Sequence, residues 1–324
     1  MTRRLSAMLA VALLAGAEGV TAQSWPDRPI RLIVPTGPGA ATDLIARLLS
    51  EDVARQIGQP LIVENRAGAS GLPAHQAAAH SEPDGYTFLF TNTSGLASNI
   101  VSFRTLPYDP TKDFAPVAMV VNLGPQLIAV NTALPVKSMV ELVDYAKANP
   151  GKINYGVDIT SGAALFFGRL LNKRANLGLV EVTYKAARQL VQDAASGTVP
   201  IVVTSISVAS PFLQTGQLRP IAVTSGSRFP SMADVQAVNE TFPGLQLDGW
   251  FAVVAPRGTP PAIVSKMNAA IDIFLKRPET QKRLLENGLA TSGSDTPEHT
   301  GQFINEQQDL WRALAKELDI QPQQ

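Results

Sequence analysis

Small polar residues at the ends of predicted strands carry most of the chemistry available to this chain. Pro35-Thr36-Gly37-Pro38-Gly39-Ala40-Ala41-Thr42-Asp43 joins a β-branched run, Ile30 to Val34, to a stretch with helical spacing. A helix N-terminus offers unpaired N–H groups and the positive end of the helix dipole. Gly37 and Gly39 let a ligand approach the backbone closely. A carboxylate would be stabilised there by Thr36, Gly37, Pro38, Gly39 and Thr42 without any Lys or Arg. Capping by Thr42 or Asp43 explains the same residues, and both readings can hold together. Similar loops recur at Thr91-Asn92-Thr93-Ser94-Gly95, Asp158-Ile159-Thr160-Ser161-Gly162, Tyr184-Lys185-Ala186-Ala187 and Thr204-Ser205. Taken singly, each could be a plain N-cap. Taken together they suit reversible binding of a carboxylate, with Ser94, Gly95, Thr160, Ser161, Gly162, Ala186, Ala187, Thr204 and Ser205 as candidate contacts.

The first loop also reads as an incomplete dinucleotide fingerprint. Gly37-Pro38-Gly39-Ala40-Ala41-Thr42 matches G-x-G-x-x-G except at the third Gly, and Glu64 ends the next strand where a ribose-binding acid belongs. An NAD-dependent oxidoreductase is therefore the rival reading. The rigid Pro38 and the export signal described below oppose it. No G-x-S-x-G elbow, P-loop or H-E-x-x-H motif is present. His75 and His80 are five apart and off a common helical face, so a shared metal is not expected and both are placed on an exposed helix edge. Neither a catalytic group nor a cofactor is expected.

The elements that must position these loops alternate. Strand, helix, strand, helix, strand runs from Ile30 to Phe90, with a helix from Asp43 to Gln56, a C-cap at Gly58, a strand at Leu61 to Val63 and a helix from Ala74 to His80. This order gives a parallel sheet with right-handed crossovers. A second unit follows, with strands at Gln126 to Val130, Ile153 to Gly156, Glu181 to Tyr184, Ile201 to Thr204 and Ile221 to Thr224. A strand at Trp250 to Ala255 and helices from Pro261, Pro278 and Pro297 close the chain. No low-complexity linker separates the halves. The expected architecture is α/β and two-lobed, with each lobe a mainly parallel sheet flanked by helices and joined by crossing strands. Residues 23–124 and 248–324 form lobe 1 and residues 125–247 lobe 2. A ligand would sit in the cleft where the sheets end.

Arg3 and Arg4, the apolar run Leu5 to Ala17 and the small residues at Val20-Thr21-Ala22 have the order of a secretory signal over residues 1–22. The run is shorter than the roughly 20 residues a membrane-spanning helix needs. Cleavage near Gln23 would place the protein in the periplasm. Without Arg3, Arg4 and Glu18 the chain carries about −1 of its formal charge. It has no basic stripe and only 6% aromatic residues, which argues against nucleic acid. With no Cys it cannot use disulfides and must rely on its core, for which 45% hydrophobic residues suffice.

Several motifs in register make the mature chain resemble the Bug family, the periplasmic solute-binding proteins of tripartite tricarboxylate transporters. They are Trp25-Pro26-Asp27-Arg28-Pro29-Ile30-Arg31-Leu32-Ile33-Val34-Pro35, Val63-Glu64-Asn65-Arg66-Ala67-Gly68-Ala69, Pro83-Asp84-Gly85-Tyr86-Thr87, Leu106-Pro107-Tyr108-Asp109-Pro110 and Asp113-Phe114-Ala115-Pro116-Val117. Tyr184-Lys185, Gly216-Gln217-Leu218-Arg219 and Ala255-Pro256-Arg257-Gly258-Thr259-Pro260 extend the match. The resemblance implies a two-lobed receptor that closes on a small organic carboxylate and delivers it, as a monomer, to inner-membrane permease subunits. It implies that the first loop and Ser94 hold one carboxylate from lobe 1. It gives lobe 2 the Thr160-Ser161 loop, the residues after Lys185 and the Thr204 strand end.

The second lobe departs from the family pattern. Ala164 stands where His is common, Ala186 where Gly is usual, and Thr204 where Asp is often found. In the first loop Thr36-Gly37 replaces a frequent aromatic-Pro pair. Lys185 is the one charge expected near the cleft, which favours an aromatic or short aliphatic acid over citrate.

Overall fold

β1 (Ile30–Val34) shows how one strand feeds two cores. Ile30, Leu32 and Val34 point to one side, where they pack with Ile45, Leu49 and Val53, while Ile33 points to the other. The computed structural model describes residues 25–158 and 162–322. The expected signal segment 1–22 and the candidate pair Thr160-Ser161 lie outside the described residues.

The chain continues through α1 (Ala41–Ile57), β2 (Leu61–Asn65), α2 (Leu72–Ala79) and β3 (Thr87–Asn92). Gly58 ends α1 with φ 78° and returns its N–H to Ala54 O at 3.0 Å, as its position in the sequence implies. A π-helical turn at Ser94–Ser98 leads into α3 (Asn99–Ser102) and β4 (Phe114–Gly124). The first sheet has the order β2-β1-β3-β11-β4, where β11 (Gly249–Pro256) returns from the far end of the chain. Its first three strands are parallel, and β11 runs antiparallel to both β3 and β4.

β5 (Gln126–Asn131) begins the second sheet one residue after β4 ends, with only Pro125 between them. α4 (Met139–Ala148), β6 (Asn154–Asp158), α5 (Gly162–Arg174), β7 (Val180–Tyr184), α6 (Ala187–Ser196), β8 (Ile201–Ser205), α7 (Ile206–Gln214), β9 (Leu218–Val223), β10 (Gln236–Ala237) and α8 (Val238–Thr241) follow. The order is β10-β9-β5-β8-β6-β7, with β5 antiparallel to both its neighbours. The last helices are α9 (Pro261–Leu275), α10 (Pro278–Glu286) and α11 (Pro297–Leu318).

Two segments cross between the sheets, one at Gly124-Pro125-Gln126 and one at Leu247-Asp248-Gly249. Thr224 clasps them. Its hydroxyl accepts the Gln126 N–H at 2.8 Å and donates to Leu247 O at 2.9 Å, while Leu247 N–H donates to Thr224 O at 3.1 Å. Asp248 follows Leu247 in the second crossing. Its Oδ1 is buried without a partner, and burial raises its pKa to about 7.

α11 spans both halves. Trp250 Nε1 donates to Gln307 Oε1, and Gln308 Nε2 donates to Leu96 O, on the first-sheet side. On the other side Trp311 packs edge-on against Phe166 of α5 at 4.7 Å, and Arg174 makes a two-pronged bond to Glu317. One apolar cluster consequently runs from Ile33 and Leu89 to Ile128, Tyr155 and Trp311.

Candidate functional site

The C-terminal ends of strands from both sheets open onto one cleft of about 790 Å³. From the first sheet come the loop before α1, the end of β3 with Asn92, Thr93 and Ser94, and the end of β4. The second contributes Asp158, the start of α5, one face of α6, and the end of β8 with Thr204, Ser205 and α7.

Asp43 organises the loop before α1. It is 1% exposed, and its carboxylate accepts the Gly39 N–H at 2.8 Å, Arg47 Nε at 3.1 Å and Asn65 Nδ2 at 2.8 Å. Burial alone would raise its pKa, but the bonds from Arg47, Gly39 and Asn65 outweigh it and hold the carboxyl below the ordinary range. Ala40, in the N-cap position, supplies no side-chain cap, so the first-turn amides of α1 keep their hydrogen-bonding capacity. The Gly39 amide is spent on Asp43. Gly39 itself adopts φ 83°, a conformation that favours glycine.

The Ser94 turn is held from behind. Asn92 Oδ1 accepts the Gly95 N–H at 3.2 Å, and Tyr108 donates its hydroxyl to Gly95 O at 2.7 Å. His75 lies under the turn, stacked on Tyr108 at 5.1 Å. Because Gly71 O at 2.8 Å can only accept, Nδ1 carries the proton and Nε2 accepts from the Thr91 hydroxyl at 2.7 Å. Burial lowers its pKa to about 4, so the ring is neutral. His75 is thus fully buried, contrary to the exposed edge expected for it, because Tyr108 and Phe114 cover the ring and the glycines Gly71 and Gly95 leave room for it. His80 is exposed.

Across the cleft, Gly162 begins α5 directly opposite this turn. A Cβ on Gly162 would lie 2.4 Å from Ser98 Oγ and 3.5 Å from Ser94 Oγ. The two halves therefore meet where neither has room for another atom.

Of the candidate contacts, Thr36, Gly39, Thr42, Ser94, Gly162, Ala187, Thr204 and Ser205 line the cleft. Gly37, Pro38, Gly95 and Ala186 lie outside its lining: Pro38 and Ala186 are exposed, and Gly95 is backed against His75. The sequence reading missed Gln126, Asp158, Arg188, Gln192 and Phe251, which all line it. Lys185 is exposed and does not line the cleft, whereas Arg188 does, which corrects the expectation that Lys185 is the nearby charge. Two polar atoms in the lining are buried without partners, Thr36 Oγ1 and Gln126 Oε1.

Glu64 does not act as a ribose-binding acid. It lies outside the cleft lining and is bound by Arg31 at 3.0 Å and Arg66 at 2.6 Å. Among the described residues no group of three or more His, Cys, Asp or Glu could hold a metal, and no helix is long and apolar enough to cross a membrane.

Residues 45–320 match the model of the tripartite tricarboxylate transporter family receptor. The chain belongs to this family. BugT of Bordetella pertussis is 32% identical over 320 residues, covering 98% of each chain. An R. palustris protein solved with adipate shares 32% identity and a TM-score of 0.84, over 92% of this chain and 100% of that one. MatC from Rhodopseudomonas palustris, solved with bound malate, has 29% identity and a TM-score of 0.78, over 90% of this chain and 99% of its own. The receptor accordingly has the two-lobed fold of periplasmic binding proteins. Its family is one of solute-binding receptors and not of enzymes, which removes the oxidoreductase reading.

Proposed function

We propose that this receptor captures a small organic carboxylate between its lobes outside the cytoplasm and delivers it to the permease subunits of a tripartite tricarboxylate transporter. The observation that carries this reading is the cleft itself, lined by the uncapped N-terminus of α1, by Ser94 and by two buried polar atoms without partners, Thr36 Oγ1 and Gln126 Oε1. Thr36, Thr42 and Ser94 take one carboxylate from the first lobe, and Gly39 shapes the loop through its bond to Asp43. Gly162, Ala187, Thr204 and Ser205 close on the ligand from the second, together with Thr160 and Ser161. Residues 23–124 with 248–324, and residues 125–247, move as two bodies about the crossings that Thr224 clasps. The adipate and malate bound by two relatives support the ligand class. The signal-like order of residues 1–22 supports a periplasmic mature form beginning near Gln23, and we take that form to be a monomer.

A thermal-shift screen with a panel of carboxylates tests the reading. A ligand present at 100 times its Kd stabilises by about 2.7 kcal/mol. Stabilisation by carboxylates and not by the matching amides is expected. A panel of acids that leaves the melting temperature unmoved would sink the proposal.

A further inference from the structure

Resting on the reading of this cleft as a carboxylate site, we infer that Arg188 determines specificity at the far end of the ligand, selecting acids that carry a second anionic group. Among the described residues, the lining contains two ionisable side chains, Asp158 and Arg188. Asp158 is buried and already partnered. Arg188 is exposed to the cleft and makes no hydrogen bond or ion pair among the described residues. Arg169 and Arg174 on the neighbouring α5 differ, being fixed on Glu181 and Glu317.

The face of α6 that bears Arg188 is turned inward, because Val191 and Gln192, three and four residues on, line the same cleft. The first-lobe anchor is built from amides and hydroxyls and contains no cation, so Arg188 is the cation that meets a ligand's net charge. Its planar fork matches a carboxylate in two parallel bonds. Between the two ends the wall is apolar, with Val121, Val191, Phe212, Phe251 and Leu289. The site therefore fits an apolar stem with an anion at each end. A monoacid would leave Arg188 in water and gain nothing from it.

Calorimetry with matched pairs tests this: butyrate and succinate, hexanoate and adipate, benzoate and terephthalate. In the pair that binds best, the diacid is expected to bind at least tenfold more tightly. Arg188→Ala should remove that preference while changing the monoacid's affinity less than twofold, and Arg188→Lys should restore part of it. Unliganded melting temperatures should match wild type, since Arg188 has no partner to lose. Monoacids binding as well as diacids in every pair, or Arg188→Ala weakening both members equally or neither, overturns the role of Arg188 and leaves the carboxylate site standing. Silence of all the acids removes the site itself, and the inference with it.

Discussion

A Cβ on Gly95 would lie 1.7 Å from His75 Nε2. The imidazole cannot withdraw, because its two nitrogens are bonded to Gly71 O and Thr91 Oγ1 and its face is stacked on Tyr108. Gly95 is therefore a packing glycine, and the neighbouring Ser94 is the residue offered to the cleft. Gly95→Ala should cost about 1–3 kcal/mol or more through overpacking. Ser94→Ala should leave stability nearly unchanged and cost about 1.5–3 kcal/mol in binding, a charged hydrogen bond's worth, or roughly ten- to hundredfold in Kd. Melting temperatures and calorimetry on the two variants check this. A large loss of unliganded stability in Ser94→Ala would make the hydroxyl structural.

His75 and Asp248 should tilt the pH dependence of stability in opposite directions. The pKa of His75 falls from 6.5 unfolded to about 4 folded, so its contribution is complete above 6.5 and is lost as pH falls toward 4. For Asp248 the value rises from 3.8 unfolded to about 7 folded, so its contribution is complete below 4 and is lost as pH rises toward 7. Each is worth roughly 3–4 kcal/mol across its window. The lowered carboxyl of Asp43 titrates below pH 4 and does not confuse a comparison between pH 5 and 6.5. Urea midpoints for Asp248→Asn should rise across that interval, because only His75 remains. Those for His75→Phe should fall. Curves parallel to wild type would show that neither group titrates in this range.

The loop before α1 should depend on Asp43 more than on its ion pair. Asp43→Ala strands the Gly39 amide and takes one of the bonds of Asn65, and should cost about 1–3 kcal/mol and weaken carboxylate binding. Arg47→Ala removes a partner that is 47% exposed and should cost less than about 1 kcal/mol. Equal losses in the two variants would assign the loop's order to the salt bridge.

Much of this arrangement was legible in the chain because it is local. The spacing of Ile45, Leu49 and Val53 gave α1, and Gly58 marked its end. β4 escaped because Pro116 interrupts it. Proline is tolerated there since β4 is the sheet's edge strand. α7 escaped for a similar reason, with Pro211 inside it. Arg188 carried no signal because its place in the cleft depends on how α6 lies across β6 and β8, a long-range fact. The burial of His75 depends in the same way on Tyr108 and Thr91, which are distant in the chain.

Calorimetry with NAD or NADP should detect no binding, and Glu64→Ala should not change that result. The carboxylate of Glu64 serves Arg31 and Arg66, each at least 40% exposed, so the variant should lose no more than about 1 kcal/mol of stability. Micromolar binding abolished by Glu64→Ala would return the dinucleotide reading to consideration.

Gly162 offers a test of closure that leaves the anchor intact. Its missing Cβ is what allows the start of α5 to approach Ser98 across the cleft. Gly162→Ala should hold the halves apart, by steric exclusion and not by strain, since Gly162 has no positive φ and begins a helix where Ala is favourable. Unliganded stability should therefore change little, while affinity for a carboxylate falls at least tenfold. Small-angle scattering with saturating ligand should show a larger radius of gyration than wild type. Ser98→Gly removes the hydroxyl and the Cβ that the new methyl would meet, so the double variant should recover affinity. If Gly162→Ala binds as wild type does, the two halves do not need this contact to close, and the cleft is shaped by α11 and the crossings alone.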